Sequence, residues 1–453
     1  LEAVIGLPAN LFYGTGIPAC ILVLRQQKQE GANRVSGKPA ERQGQVLFIN
    51  ADREYFEGRA QNFLLPEHIE KITTAFDDFR QIDGLAVVLD IATLRANDYN
   101  LNIRRYVDNA PAPEPHDVRA HLLGGVSKAE VTAKAELFAA QGLNPLDLFI
   151  ERDARYYDFR PELASRQVVK PAIEGNSGLQ AKEATLNGAF DGWWQAHGSS
   201  ITALAGQQGN SGALVRLRSE LLASFSQALE PVGLLAPFQV RGIVAGFWYQ
   251  SKYDFLTLMS RDCKGVIDAW RTSIVTALDD KASKDNPLEH KLVRFLLDAF
   301  VSDLAELEAK KAELDSQLKV ATPSKGGDGE EAGEAEAEGD EDNTVGEAQL
   351  KAWKAELTKV KKQLKARQES LAAQLNQAVD VLSEAQAAEL LLTILHHDMQ
   401  AILLRYIAAQ RKGVVAAFEN WWDKYRVTLA EIEGKRDAAA QALQGFLKGL
   451  GYV

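Results

Sequence analysis

Residues 7–24 constrain the fold of this chain more than any other stretch, because they join two short apolar runs through a segment that cannot be helical. The first run ends at residue 7 and the second covers residues 19–24; both have the length and β-branched content of buried strands. Prolines and glycines between the runs exclude a helix, namely Pro8, Gly14, Gly16 and Pro18. The sequence therefore predicts two buried strands joined by an irregular loop.

This loop carries two adjacent aromatic residues, Phe12 and Tyr13, just before a Gly-Thr-Gly sequence. A loop held between two strands can fix a flat ring in place, and such a ring suits stacking on a flat ligand such as an extruded nucleobase. Alternatively, both rings cover the end of the sheet. The residues alone leave both interpretations open. The Gly-Thr-Gly sequence lacks the third glycine of a dinucleotide-binding loop and is a weak phosphate-binding signal.

Three segments in order resemble the late part of the methylation subunit of type I restriction–modification enzymes. They are residues 7–24, residues 46–51 followed by Asn62 and residues 66–72, and residues 97–107. This family transfers a methyl group from S-adenosylmethionine to N6 of adenine in double-stranded DNA. The resemblance implies a partial methyltransferase sheet over residues 1–108. It also implies that Phe12 or Tyr13 stacks on the flipped adenine.

The chain departs from the family pattern at the catalytic site. Neither the glycine-rich turn that binds the methyl donor nor the Asn-Pro-Pro-Phe/Tyr motif is found, and both Asn-Pro pairs are followed by leucine. The chain also begins directly inside an apolar strand. We therefore expect the C-terminal portion of a longer subunit, with the S-adenosylmethionine site mainly upstream. The resemblance assigns no catalytic, cofactor-binding or metal-binding residue to this chain, which alone should be inactive.

Four cationic residues are candidates for contact with the DNA backbone. Arg104 and Arg105 precede Tyr106 near the end of the third matching segment, and Lys28 and Arg34 lie in a polar hairpin between strands. Arginine and lysine bind phosphate oxygens and position a protein on a duplex. A surface salt bridge for the arginine pair, or a solvated loop for the other two, is the alternative.

The composition changes to alanine, leucine, glutamate and glutamine after a proline-rich linker at residues 109–115, which predicts a domain boundary followed by helices. The sequence thus predicts a mostly α fold with a small N-terminal α/β part. Ser127 and Glu130 form a capping-box pattern that starts a helix reaching about residue 141. A basic aromatic cluster follows, which suits binding to nucleic acid or protein, or local cation–π packing: Arg152, Arg155, Tyr156, Tyr157, Phe159 and Arg160.

Leucines spaced by three and four residues flank an acidic segment and predict a long antiparallel helical hairpin over residues 299–383. Its acidic linker, residues 323–345, should be disordered. The sequence therefore predicts four parts of the chain: a methyltransferase part at 1–108, a helical domain at 109–298, the hairpin at 299–383, and C-terminal helices at 384–453. By resemblance, the C-terminal helices dock on the DNA-specificity subunit.

Charge and cysteine content bear on the cellular location of the protein and do not define its activity. The net charge is −11, but the acidic linker holds nine carboxylates and one lysine, so the rest of the chain carries only −3. Bulk charge therefore does not exclude DNA binding. Two distant cysteines and the lack of a long apolar run indicate a cytoplasmic protein without a membrane span.

The chain is therefore expected to contribute to site-specific adenine methylation of DNA. The chain would bind the target adenine and assemble with the DNA-specificity and restriction subunits of the same system. The main alternative is a non-enzymatic helical module that docks a specificity subunit, and a coiled-coil structural protein is a third. No hydrolase, metalloprotease or Walker motif supports another enzyme class.

Overall fold

The computed structural model describes residues 1–30, 33–35, 37–110, 115–279, 286–321 and 347–451. It is mostly helical, with a small N-terminal sheet region, as predicted. The strands are β1 (Ala3–Gly6), β2 (Cys20–Val23), β3 (Lys28–Glu30), β4 (Asn33–Val35), β5 (Gln45–Asn50), β6 (Phe56–Glu57), β7 (Asn62–Phe63), β8 (Ala86–Asp90), β9 (Val126–Ser127), β10 (Phe149–Glu151) and β11 (Tyr156–Phe159).

The helices are α1 (Pro66–Asp78), α2 (Ile91–Ala96), α3 (Val118–Leu123), α4 (Lys128–Thr132), α5 (Ala135–Ala140), α6 (Arg166–Glu174), α7 (Ser177–His197), α8 (Ser199–Thr202), α9 (Ser211–Leu229), α10 (Pro237–Ser260), α11 (Cys263–Asp279), α12 (Lys291–Leu296), α13 (Asp298–Ala321), α14 (Glu347–Asp380), α15 (Glu384–Tyr425) and α16 (Leu429–Gly449). They form two compact units. One contains residues 1–198, 214–252 and 397–453, and the other contains residues 199–213 and 253–396. The predicted domain boundaries stay predictions.

The N-terminal sheet has the strand order β2-β1-β5-β8. β1 pairs antiparallel with β2 and parallel with β5, and β8 pairs antiparallel with β5. β2 and β5 do not pair with each other, because β1 lies between them. The connection between β2 and β5 is long enough to pass to the far side of β1.

The central strands β1 and β5 are buried on both faces. β2 is not: Cys20 is exposed, and Ile21 and Leu22 are 47% and 49% exposed. The prediction that both apolar runs are buried strands is therefore wrong for the second one, as is the buried setting expected for Cys20. Among the described strands β2 is at the edge of the sheet and pairs only with β1, and an apolar composition does not reveal an edge position.

α1 begins at Pro66, and proline suits the first position of a helix because the N–H that it lacks would have no partner within the helix. The side-chain Nδ1 of His68 accepts a hydrogen bond of 3.0 Å from the backbone N–H of Leu65 and so caps the helix. Further along, Glu70 forms a 2.7 Å ion pair with Arg218 in α9. α1 therefore joins the N-terminal sheet to helices of the same compact unit.

The second sheet, in the order β10-β11-β9, packs with the C-terminal part of α15 around an aromatic core that includes Phe138, Phe418, Trp421 and Trp422. Burial of the tryptophan pair confirms that it is a packing element. The predicted capping box is wrong. Glu130 instead lies buried and accepts hydrogen bonds from Trp421 Nε1 (3.1 Å) and the Tyr425 hydroxyl (2.7 Å). The expected single helix is divided into α4 and α5.

In the second unit, α13 and α14 contact each other through ion pairs. Lys310 bonds Glu356 at 2.6 Å, and Asp303 bonds Arg367, so the two helices run in opposite directions. The hairpin with its acidic tip stays a prediction, because residues 323–345 lie outside the described residues. Within the described parts of the chain, no helix is long and apolar enough to cross a membrane.

Candidate nucleic-acid interface

The loop between β1 and β2 is held in a defined shape by hydrogen bonds at its base and within it. The backbone N–H of Leu7 donates to the carbonyl of Ala19 at 2.8 Å, and Leu11 packs against the buried face of the sheet. Gly14 has a φ of +79°, a conformation that glycine adopts without strain. These contacts fix the backbone on either side of Phe12 and Tyr13.

Both aromatic rings of the loop are accessible to solvent, Tyr13 more than Phe12. Phe12 is 50% exposed and Tyr13 is 92% exposed. Both rings are therefore accessible to a flat ligand, although half of the Phe12 side chain is covered. That they stack on a base stays a prediction.

A second element is attached to this loop. The short hairpin formed by β6 and β7 contacts it through Asn62, one of the residues that carry the family resemblance. The backbone N–H of Asn62 donates to Asn10 O at 2.8 Å, and its side-chain Nδ2 donates to Ala9 O at 2.9 Å. Asn62 thus joins the hairpin to the start of the aromatic loop.

The candidate DNA-contacting arginines of the third matching segment are already engaged. Arg104 donates from Nε and Nη2 to one carboxylate oxygen of Asp52, at 3.2 and 2.7 Å. Arg105 donates from Nε to Asn97 Oδ1 at 3.0 Å. A phosphate would have to compete with Asp52 for Arg104. For this residue the structure shows the salt bridge that was the alternative interpretation.

The two other cationic candidates lie in the pair formed by β3 and β4, where Lys28 is opposite Val35 and Arg34 is opposite Gln29. This pairing agrees with the expected hairpin. The side chains of Lys28 and Arg34 lie outside those that the structure describes, so their role stays a prediction.

The third matching segment is anchored to the sheet rather than free. The side-chain Nδ2 of buried Asn50 donates to the carbonyl of Val107 at 3.1 Å, and the Tyr106 ring lies 4.8 Å from the Phe48 ring. The segment therefore closes the face of the sheet opposite α1.

Sequence reasoning missed a set of exposed residues in and beside the hairpin. Arg53 and Arg59 are exposed, and within the described residues their side chains have neither an ion pair nor a hydrogen bond. Three aromatic side chains lie among them, namely Tyr55, Phe56 and Phe63, which are 37%, 55% and 45% exposed. The strands are too short for a periodic pattern, and the interleaving of arginine with aromatic residues was the available signal.

The basic aromatic cluster of the second sheet is engaged in local packing. Tyr156 is buried, its hydroxyl donates to Asp117 at 2.9 Å, and the Arg119 guanidinium lies 4.2 Å from the centre of its ring. Burial raises the pKa of the Asp117 carboxyl, but hydrogen bonds from the Ala120 N–H and the Tyr156 hydroxyl outweigh it, so the pKa is lowered.

Two of the three arginines of this cluster are engaged as well. Arg152 approaches Asp158 at 3.5 Å, and Arg160 donates twice to the Leu146 carbonyl. A surface cavity of about 640 Å³ lies beside both arginines. Because the Arg152 and Arg160 guanidinium groups already have internal partners, these two residues stabilise the second sheet, whereas Arg155 is exposed.

No group of three or more histidine, cysteine, aspartate or glutamate side chains is placed to hold a metal ion in the described ranges. Comparison with known proteins finds matches to the N-terminal region. A family model described as N-6 DNA Methylase matches residues 1–114. The matched region contains the aromatic loop, the hairpin and the anchored third segment.

Curated relatives match the same region. The chain is 42% identical over 121 residues to the type I restriction enzyme MjaVIII methylase subunit of Methanocaldococcus jannaschii, covering 26% of this chain and 19% of the relative. It is 37% identical over 125 residues to the MjaVII methylase subunit of the same organism, covering 27% and 20%. The match therefore spans about a fifth of the length of these relatives.

A solved structure also matches, that of the type I restriction-modification system methyltransferase subunit from Streptococcus thermophilus. It is 37% identical and covers 24% of this chain and 20% of that one, with a TM-score of 0.20, too low to bear on the fold. The sequence matches confirm the predicted resemblance: the N-terminal region of this chain, residues 1–114, is related to the N-6 DNA methylases and is similar to the methylase subunits of type I restriction enzymes.

Proposed function

We propose that this chain is the C-terminal portion of the methylation subunit of a type I restriction–modification system. In the complete subunit it contributes target-adenine binding and assembly to the methylation of adenine N6 by S-adenosylmethionine. Its partners are double-stranded DNA and the DNA-specificity and restriction subunits, which places its action in the cytoplasm.

One observation carries this proposal. Phe12 and Tyr13 are exposed on a loop whose backbone is held by Leu7, Leu11 and Asn62, within the region that matches the methylase family. Exposed, pre-positioned rings lose little conformational freedom when a base stacks on them. Base–aromatic stacking contributes about 1–3 kcal/mol per base.

The methyl-donor site is proposed to lie upstream of this chain. The chain has no Asn-Pro-Pro-aromatic motif, and its match spans 19–20% of the length of the relatives. We expect these 453 residues alone to have no measurable affinity for S-adenosylmethionine and to produce no N6-methyladenine. Tight donor binding by the isolated chain would contradict the proposed division.

The test uses the complete subunit with its upstream region and its specificity subunit. Phe12→Ala and Tyr13→Ala, singly and together, should reduce single-turnover formation of N6-methyladenine, since loss of about 1–3 kcal/mol of stacking corresponds to about 5- to 150-fold. Affinity for S-adenosylmethionine should not change. Tyr249→Ala, which removes a ring that is 71% exposed on α10, is the matched control. Unchanged methylation by the double variant would reject the stacking role.

A specific feature supports the assembly role, which is also the alternative function of a non-enzymatic docking module. α16 and its C-cap residue expose apolar side chains on one face, spaced by three or four residues near each end and by eleven residues between the ends: Leu429, Ile432, Leu443, Phe446 and Leu450. Such a stripe is typical of a helix that packs against another helix. We propose that it binds a helix of the DNA-specificity subunit.

Two substitutions on opposite faces of α16 test this docking. Leu443→Glu places a charge in the apolar stripe and should weaken capture of the specificity subunit at least tenfold. Gln441→Glu places the same charge about 200° away around the helix and should leave capture unchanged. Equal capture by both variants would exclude the stripe. Capture that depends on Leu443 in a complete subunit without methylation activity would favour the non-enzymatic module.

A further inference from the structure

The short hairpin formed by β6 and β7, together with the residue before it, carries three exposed aromatic side chains. Phe56 and Phe63 are 55% and 45% exposed, and Tyr55 precedes them at 37%. Phe56 is the direct cross-strand partner of Phe63, so both side chains lie on the same face of the hairpin. An exposed aromatic pair on one face of a short hairpin is suited to contact with a partner.

The position of the hairpin relative to the aromatic loop is set by Asn62. This residue lies directly before Phe63 and forms its two hydrogen bonds to Ala9 and Asn10, which lie three and two residues before Phe12. The Phe63 ring packs closely over Gly58, where a side chain would collide with it. The hairpin therefore occupies a defined place beside the loop.

The charges around the aromatic pair favour a polyanion. Arg59 lies in the turn and Arg53 before the hairpin, and within the described residues neither side chain has an ion pair or hydrogen bond. Of the two neighbouring carboxylates, Glu54 is neutralised by Lys71 at 2.5 Å, and Glu57 is exposed. Arginine binds phosphate bidentately, and an unpaired guanidinium does so without first losing a carboxylate.

We propose that this hairpin is a DNA contact that holds the strand next to the extruded base. Arg59 binds a backbone phosphate, and the Phe56–Phe63 pair packs against a nucleotide that flanks the target adenine. The inference rests on the proposed function of the Phe12–Tyr13 loop. It adds a strand-holding element that acts on DNA affinity, whereas the loop acts on the flipped base.

The test uses the complete subunit with its specificity subunit and a duplex that carries the site mapped from N6-methyladenine in the host DNA. Arg59→Gln should weaken DNA binding about 3- to 10-fold and lower the slope of log K against log salt by about 0.9, the value for one phosphate contact. Phe56→Ser should weaken binding at least fivefold and leave that slope unchanged. Glu57→Gln, which removes the opposing charge from the same hairpin, should strengthen binding.

A fluorescent 2-aminopurine at the target position separates this inference from the function it rests on. Hairpin variants should still give the fluorescence of an extruded base at saturating enzyme, whereas Phe12→Ala and Tyr13→Ala should alter it even when the duplex is fully bound. Suppose that the loop variants alter the fluorescence but that Arg59→Gln and Phe56→Ser bind DNA as the wild type does. This result would overturn the hairpin inference and leave the proposed function intact. Loss of specificity-subunit capture by the hairpin variants, with DNA affinity intact, would also overturn it.

Discussion

The molecule contains two groups of aromatic and arginine residues with opposite environments. In the N-terminal region, Phe12 and Tyr13 lie on a loop and are 50% and 92% exposed. In the second sheet and α15, rings of the same kinds are buried and hydrogen-bonded, as Tyr156 and Trp421 show. Composition alone does not separate a binding surface from a packing core. The two are distinguished by whether each ring is buried and whether each polar group has a hydrogen-bond partner within the protein.

The arginines follow the same division. In the second sheet, Arg152 and Arg160 have a carboxylate or a carbonyl as partner. Beside the aromatic loop, Arg53 and Arg59 have neither within the described residues. A guanidinium with an internal partner stabilises the fold, whereas one without it is available to a ligand. Substitutions in the two groups should therefore affect different measured quantities.

The largest effect on stability is expected in the buried group. Trp421→Ala removes a ring that is 2% exposed and contacts Phe138, Phe149 and Phe418, and such truncations cost about 3–5 kcal/mol. Chemical denaturation followed by circular dichroism should show a lower midpoint. A loss below about 1 kcal/mol would mean that the ring is not a core residue and would remove the contrast with Tyr13.

The next effect concerns the buried carboxylate that holds this core. Glu130→Ala leaves the Trp421 Nε1–H and the Tyr425 hydroxyl without their acceptor, which costs about 1–3 kcal/mol for each unsatisfied group. Glu130→Gln keeps one acceptor oxygen and should cost less. The same denaturation measurement checks both variants. Equal stability of Glu130→Ala and the wild type would show that Glu130 does not satisfy these donors.

A smaller, pH-dependent effect is expected in the N-terminal region. Burial lowers the pKa of His68 below 6.5, more than the nearby Glu67 and Glu54 raise it, and Lys71 and Arg405 lower it further. The unfolded chain then binds a proton at a higher pH than the folded one, so stability is present above pH 6.5 and is lost as the pH falls through the folded pKa. Neutral Nδ1 is also what the Leu65 N–H requires.

Denaturation midpoints at several pH values between 5 and 7.5 check this dependence on His68. His68→Asn removes the titration and keeps a side chain that can accept the hydrogen bond, so its midpoint should change less with pH than that of the wild type. Identical pH profiles for the two proteins would show that His68 does not carry the effect.

The smallest effect on stability is expected at the exposed loop. Tyr13→Ala should change the free energy of unfolding by less than about 0.5 kcal/mol, because the ring is 92% exposed. The same denaturation series measures it. A loss of 2 kcal/mol or more would show that Tyr13 is a packing residue and would contradict the distinction between the two groups.

Much of the architecture could be predicted from local sequence. Pro66 and the apolar spacing after it define α1, and Pro8, Gly14, Gly16 and Pro18 define an irregular loop, because these signals depend on neighbouring residues only. The position of β2 could not be predicted, since an edge strand and a central strand of the same composition differ only in their neighbours. The capping-box prediction for Glu130 was wrong for a similar reason, because the hydrogen-bond partners of Glu130 are about 290 residues away in sequence.

The candidate site could be predicted only in part. Phe12 and Tyr13 were found because the family resemblance covers them, whereas the Phe56–Phe63 hairpin lacks any periodic pattern. Arg104 was selected as a DNA contact because its chemistry suits phosphate, but its sequence neighbours do not reveal Asp52 as its partner. Partners that are distant in sequence decide which cations are free.

Photocrosslinking tests the central claim most directly. The complete enzyme is irradiated on a duplex in which 5-iodouracil replaces the target adenine, and the attached peptide is sequenced. We expect the adduct at Tyr13 or Phe12, and we expect it to disappear in the double alanine variant. An adduct at another site in the chain, or one that persists in the double variant, would contradict the assignment of these rings to the flipped base.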